Sequence, residues 1–145
     1  MHSLVNSYYS NLTFAPTMSE NKPLILICND DGITAPGILA TVEVMKTFGT
    51  VVVVAPDSPQ SGMGHAITIN KPLRMVKNNQ FGPEVESYQC SGTPADCVKL
   101  AVDKVLLRKP DLLISGINHG SNASINVIYS GTMSAAMEGA IEGIT

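Results

Sequence analysis

The chain has 145 residues, 44% of them hydrophobic and only 14% charged, with a mean hydropathy of +0.17. That is enough apolar material for one core, and it excludes an intrinsically disordered chain. A net charge of −3 offers no electrostatic attraction to a nucleic-acid polymer or an anionic membrane surface, and no apolar run is long enough to cross a bilayer.

Residues 1–20 are rich in Ser, Asn, Thr and Tyr and show no hydrophobic periodicity. They lack the basic and apolar regions of a signal peptide, so they are expected to form a disordered extension. Residues 21–145 are expected to form a single domain. Cys28, Cys90 and Cys97 are odd in number and without CxxC spacing, which reads as reduced, small hydrophobes in a cytoplasmic protein.

The run Leu24-Ile25-Leu26-Ile27-Cys28 suits a strand buried on both faces of a parallel sheet. It ends abruptly in Asn29-Asp30-Asp31-Gly32. Two adjacent carboxylates repel unless a cation or proton lies between them, although an isolated Asp-Gly is also an ordinary turn dipeptide. A helix to Phe48 follows, with Thr34 as the expected N-cap, Pro36 in the first turn, and Ile38, Val42 and Met45 on one face. Val51–Val54 is a second buried strand, completing a βαβ unit.

The loop from Ala55 to His65 is long for an α/β fold, a feature usually tied to function. Residues 66–70 and 73–76 read as short strands about Lys71-Pro72, forming a projecting hairpin, and residues 85–89 as another strand. Thr93-Pro94-Ala95-Asp96 is a strong helix start, with a Thr cap, Pro at the first position and an acid at the third. On that helix Asp96, Lys99 and Asp103 share one face and Val98, Ala101, Val102 and Val105 the other. A third core strand, 111–114, opens into Ser115-Gly116-Ile117-Asn118-His119-Gly120-Ser121-Asn122. Ser130-Gly131-Thr132 then leads into a helix of small residues, on which Glu138 and Glu142 mark a solvated or inter-helix face. The fold class is therefore α/β: a Rossmann-like, parallel-core sheet with helices on both faces.

Three loops, 29–32, 55–65 and 115–122, each follow a strand expected to be parallel, so connectivity brings them to one sheet edge. They offer two carboxylates, a Ser hydroxyl, several Asn amides and two His. Oxygen ligands of this kind suit a hard divalent cation, Mg²⁺ or Mn²⁺. Ser130-Gly131-Thr132 at a helix N-terminus adds a cradle for an anion, and the pair points to metal-assisted phosphoryl chemistry.

These motifs closely resemble the SurE (survival protein E) family of metal-dependent 5′/3′-nucleotidases. The matching pieces, in order, are residues 26–32, Ala55-Pro56 with Gln60-Ser61-Gly62, residues 92–96, residues 115–122, and Tyr129-Ser130-Gly131-Thr132 with Glu138-Gly139. The resemblance implies that Asp30, Asp31, Ser61 and Asn118 hold one divalent metal ion. Asn118, Gly120, Asn122, Ser130, Gly131 and Thr132 would line the phosphate site. It further implies hydrolysis of nucleoside 5′- or 3′-monophosphates and, in some members, trimming of polyphosphate. The mechanism expected from the residues is attack by a metal-activated water, with Asp30 or Asp31 accepting its proton. The family assembles as homodimers or homotetramers and its members are longer. The resemblance therefore places the end of the sheet, part of the nucleoside-site walls and the assembly arms outside this chain.

Two rivals carry acidic groups at comparable places. A phosphorelay receiver domain needs a phospho-accepting Asp at the end of its third strand, whereas Asp111 opens that strand. A phosphatase forming an aspartyl-phosphate needs a DxD motif, whereas Asp30 and Asp31 are adjacent. Gly62-Met63-Gly64 lacks the third glycine of a dinucleotide fingerprint. His65 and His119 are expected mainly to shape their loops, with a substrate or acid role as the alternative.

Overall fold

The computed structural model describes residues 22–60, 62–120 and 126–145. The expected extension over residues 1–20, and the candidate residues Ser61 and Asn122, lie outside the described residues.

A five-stranded sheet forms the centre, in the order β3-β4-β2-β1-β5. β1 (Leu24–Cys28) runs parallel to β2 (Thr50–Pro56) and to β5 (Leu112–Ser115), and β2 runs parallel to β4 (Glu86–Cys90). β3 (Met75–Asn78) closes one edge antiparallel to β4. Strand alternation sends side chains to opposite faces, and two core clusters follow. Ile25, Ile27, Val51, Val53 and Ala55 pack with Ile38 and Val42 of α1 (Pro36–Met45). Leu26, Cys28, Val52 and Val54 pack with Cys97 and Val98 of α2 (Pro94–Leu100) and Ala135 of α4 (Gly131–Ile141). Helices thus cover both faces, as the unbroken apolar runs of β1 and β2 require. All three cysteines are free and buried, and burial pushes the Cys97 thiol well up.

Local structure departs from the sequence reading at four places. The α1 cap is Ala35, with no side-chain bond, rather than Thr34. Ala35 N–H instead donates to Gly32 O at 3.0 Å, a tight turn made possible by Gly32 at φ +96°. Residues 66–73 form no strand, so no hairpin projects from the sheet there, and the antiparallel pair is β3 with β4 inside it. The reason is local: Thr68 N–H donates to the Asp96 carboxylate at 3.0 Å and Ala66 O accepts from Thr93 Oγ1 at 2.7 Å, so those backbone groups leave no ladder to build. Asp96 itself is only 3% exposed, not part of a solvated face. It completes a reciprocal capping box with Thr93. Beyond Leu100 the helix widens into a π-helical turn, Ala101–Val105. Between it and α4 lies the short α3 (Asn126–Tyr129).

Among the described residues, no helix is long and apolar enough to cross a membrane.

Candidate functional site

The carboxyl ends of β1, β2 and β5 lie side by side because the three strands are parallel neighbours, with Cys28 paired to Ser115 in the register. The chain therefore leaves the sheet at one edge in the segments 29–35, 57–60 and 116–120. Backbone bonds stitch these together: Gln60 N–H donates to Asp30 O at 2.8 Å, Ile33 N–H to Pro56 O at 2.8 Å, and Gly116 N–H to Cys28 O at 2.8 Å.

Asp30 is buried, 5% exposed. Its Oδ1 accepts the Thr132 hydroxyl at 2.5 Å across 102 residues of sequence. The N-terminus of α4 abuts the same carboxylate so closely that a Cβ on Gly131 would stand 2.6 Å from Asp30 Cβ and 3.0 Å from its Oδ2. Glycine at 131 is thus what allows helix and carboxylate to meet. Ser130 caps α4, its Oγ accepting from Met133 N–H at 3.1 Å. The half-buried Asp31 turns toward the β5 loop, where its Oδ2 accepts His119 N–H at 2.7 Å. Each carboxylate therefore commits one oxygen to the scaffold, and among the described residues Asp30 Oδ2 and Asp31 Oδ1 receive no hydrogen bond.

The loop after β5 rests on α1. Ile117 O would lie 2.3 Å from a Cβ at Gly37, and Thr41 Oγ1 donates to Gly116 O at 3.3 Å. Asn118 Nδ2 donates to Gly120 O at 3.4 Å, which fixes the turn that holds both. The Ser115 hydroxyl donates to Thr132 O at 2.6 Å, joining β5 to the start of α4. A cavity of about 420 Å³ opens beside Asp31, lined by Ala35, Pro36, Ile117, Asn118 and His119.

Asp30, Asp31, Asn118, Gly120, Ser130, Gly131 and Thr132 thus share one edge of the sheet. Sequence reading gave Thr132 to phosphate, but its hydroxyl is used on Asp30, so only its backbone N–H remains to meet an anion. Reading the sequence also passed over Asn29, which is fully buried. Its Nδ2 donates to Gly32 O at 3.0 Å, and its Oδ1 is a buried oxygen with no hydrogen-bond partner among the described residues. The signal was its place at the head of the Asn-Asp-Asp-Gly run. His65 pairs with Glu138 at 2.9 Å, and the backbone N–H of His119 donates to Asp31. Glu138 bridges segments rather than facing solvent.

The donor set suits a hard cation: two carboxylate oxygens left over by the scaffold, an orphaned amide oxygen at the same strand end, and a neighbouring Asn. Among the described residues no group of three His, Cys, Asp or Glu side chains is placed to hold a metal, so a cation here would depend on neutral oxygens beside the two carboxylates. The receiver alternative fails on geometry. Asp111 lies at the opposite, amino end of β5, where its carboxylate accepts from Leu24 N–H at 2.7 Å and Arg108 at 2.8 Å.

Fold and edge together define an α/β protein with a carboxylate-and-amide site where a helix N-terminus meets the carboxyl ends of parallel strands. The family model for survival protein SurE matches residues 25–145, and the chain belongs to that family. The "5′-nucleotidase SurE" of Flavobacterium johnsoniae is 67% identical over 127 residues, covering 88% of this chain and 49% of the relative. The protein of that name from Chlorobium phaeobacteroides is 55% identical over 127 residues, covering 86% and 48%. The crystal structure of the Sure protein from Aquifex aeolicus superposes with a TM-score of 0.74 at 48% identity, covering 84% of this chain and 48% of that one. The chain spans about half the length of the curated relatives it matches.

Proposed function

We propose that this chain carries the catalytic edge of a divalent-metal-dependent nucleotidase that hydrolyses nucleoside 5′- or 3′-monophosphates to nucleoside and phosphate. The observation that carries the reading is the division of labour at Asp30 and Asp31, each tied down through one oxygen with the other left over at the same edge. Relatives named 5′-nucleotidase at 67% and 55% identity support it.

Asp30, Asp31 and Asn118 would hold Mg²⁺ or Mn²⁺, with Ser61 from the neighbouring loop. Bound there, the ion would supply Lewis-acid polarisation of the phosphate and a more acidic water. The chain's own residues do the rest. The N-terminus of α4 directs its dipole and terminal N–H groups at the phosphoryl oxygens, where charge builds as the bond to the leaving oxygen breaks. Thr132 and His119 N–H hold the two carboxylates in fixed rotamers, so either acid accepts the water's proton without reorienting. The cavity beside Asp31, of about 420 Å³, falls in the size range of small-molecule sites. With Pro36 and Ile117 on its walls it fits the sugar and base of the substrate.

The test is phosphate release from AMP and from a chromogenic phosphate ester, with Mn²⁺ and with EDTA, for the wild-type chain and Asp30→Asn. Asparagine still accepts the Thr132 hydroxyl, so the fold is kept. Activity should fall about a hundredfold or more, the scale of a lost proton acceptor, and EDTA should abolish it in the wild type. Full activity in Asp30→Asn, or indifference to EDTA, refutes the assignment.

A further inference from the structure

Glu138 lies outside the proposed catalytic set, yet it is 3% exposed on a helix whose Met137 and Ile141 face solvent. Burying a carboxylate is costly unless it is paired and hydrogen-bonded. Here both oxygens are engaged, and by different parts of the chain. Oε1 accepts from Lys99 Nζ of α2 at 2.7 Å, and Oε2 pairs with His65 Nε2 at 2.9 Å. Lys99 also reaches Glu142 at 3.4 Å. One carboxylate therefore joins α2, α4 and the end of the loop that follows β2.

That loop is fixed at close intervals around His65. Gln60 N–H bonds Asp30 O at 2.8 Å, Gly64 N–H bonds Tyr129 O at 3.2 Å just before α4, and Thr68 bonds Asp96 of α2 through both its N–H and its hydroxyl. Gly64 adopts φ +57°, and a Cβ there would meet Ile128 O at 3.1 Å, so the loop passes hard against the segment leading into α4. α4 in turn supplies Thr132 to Asp30. Removing the His65 side chain leaves every backbone bond formally possible but withdraws the side chain that clamps this loop to Glu138 of α4.

We propose that His65 and Glu138 are a positioning pair, which holds the loop after β2 against α4 and so sets the spacing of the carboxylate edge for a divalent cation. Neither residue touches the cation or the substrate. The inference rests on the proposed cation site, and its effect is on affinity. A supporting residue behind a metal ligand typically changes metal affinity by 10–100-fold when lost.

The experiment uses the 145-residue chain as wild type, His65→Ala and His65→Gln, with Mn²⁺ titrated calorimetrically and thermal unfolding of the metal-free proteins recorded in parallel. Mn²⁺ should bind His65→Ala about tenfold or more weakly at a temperature where all three proteins are fully folded. Glutamine, whose amide N–H₂ still reaches Glu138, should restore most of the affinity. A merely structural role would lower the melting temperature and leave the affinity of the folded protein unchanged. Equal Mn²⁺ affinity in wild type and His65→Ala overturns the positioning role while the cation site stands. So does a glutamine variant as weak as alanine. A wild-type chain that takes up no Mn²⁺ overturns the cation site itself and the pair's role with it.

Discussion

Replacing Thr132 with valine isolates the bond that ties α4 to Asp30. The two side chains are 7% and 5% exposed and meet at 2.5 Å. Valine fills the volume of threonine, so no cavity opens. What is lost is a buried hydrogen bond to a carboxylate, which contributes about 1.5–3 kcal/mol. For a domain of this size, 1 kcal/mol corresponds to roughly 4 °C in melting temperature, so Thr132→Val should melt about 6–12 °C lower. Thr132→Ser keeps the hydroxyl and gives up one methyl group, worth roughly 0.8 kcal/mol. It should fall by about 3 °C on the same conversion. Urea denaturation and scanning calorimetry on the three proteins give the comparison directly. A valine variant within 0.5 kcal/mol of wild type, or no less stable than the serine variant, refutes the view that this bond braces the site.

Two further outcomes follow from the packing and the charges. In Gly37→Ala the new Cβ would lie 2.3 Å from the Ile117 carbonyl oxygen. The overpacking cost of about 1–3 kcal/mol exceeds the gain of up to about 1 kcal/mol in helix propensity. A net loss of stability with weaker Mn²⁺ binding is expected, and a more stable variant would contradict the close approach. Burial pushes the Glu138 carboxyl up, but hydrogen bonds from Lys99 and His65 outweigh it and hold the group below its ordinary value. Burial of Asp96 is likewise outweighed by its bonds from Thr68 and Thr93. A carboxyl depressed in the folded state contributes stability that is full above its unfolded pKa and is lost as the pH falls through the folded one. Unfolding free energy should therefore drop as the pH is lowered below about 4.5, where these acids begin to protonate in the unfolded chain. Glu138→Gln should make that descent shallower. Parallel curves for the two proteins would remove Glu138 from the explanation.

What could be read from the sequence was set by how local its cause is. β1 and β2 announce themselves as apolar runs because both of their faces are covered, and the Thr93–Asp96 cap is legible because its partners stand three residues apart. The convergence of the loops that carry Asp30 and Asn118 followed from parallel connectivity alone, whereas the meeting of Thr132 with Asp30 spans 102 residues and had no local signal. The failures share the opposite property. The alternation Ala66-Ile67-Thr68-Ile69 looks like a strand, but the backbone of Thr68 is claimed by Asp96, 28 residues away. The spacing of Glu138 and Glu142 leaves a solvated and an inter-helix face both open, and the partners that decide for the inter-helix one at Glu138 are 39 and 73 residues distant. Thr34 lost the cap to Ala35 because the Gly32 turn fixes the chain first. β5 was expected as a core strand, but all four of its residues are only half-buried at the sheet margin. There the outward N–H of Leu113 bonds Thr145 O at 2.7 Å.

The hydrogen bond between Asp30 and Thr132 closes a loop of 102 residues, and that between Asp31 and His119 one of 88. Contacts of such separation repay their loop-closure entropy only after the intervening sheet has formed. The carboxylate edge is therefore a late product of folding: a nascent chain still lacking α4 has the acids but not their brace. Fraying of α4 alone releases Asp30 while β1 and β2 stay paired, so the site opens at a lower free energy than the sheet beneath it. An ion bound at that edge reports, and by linkage stabilises, the fully assembled state rather than any half-folded one.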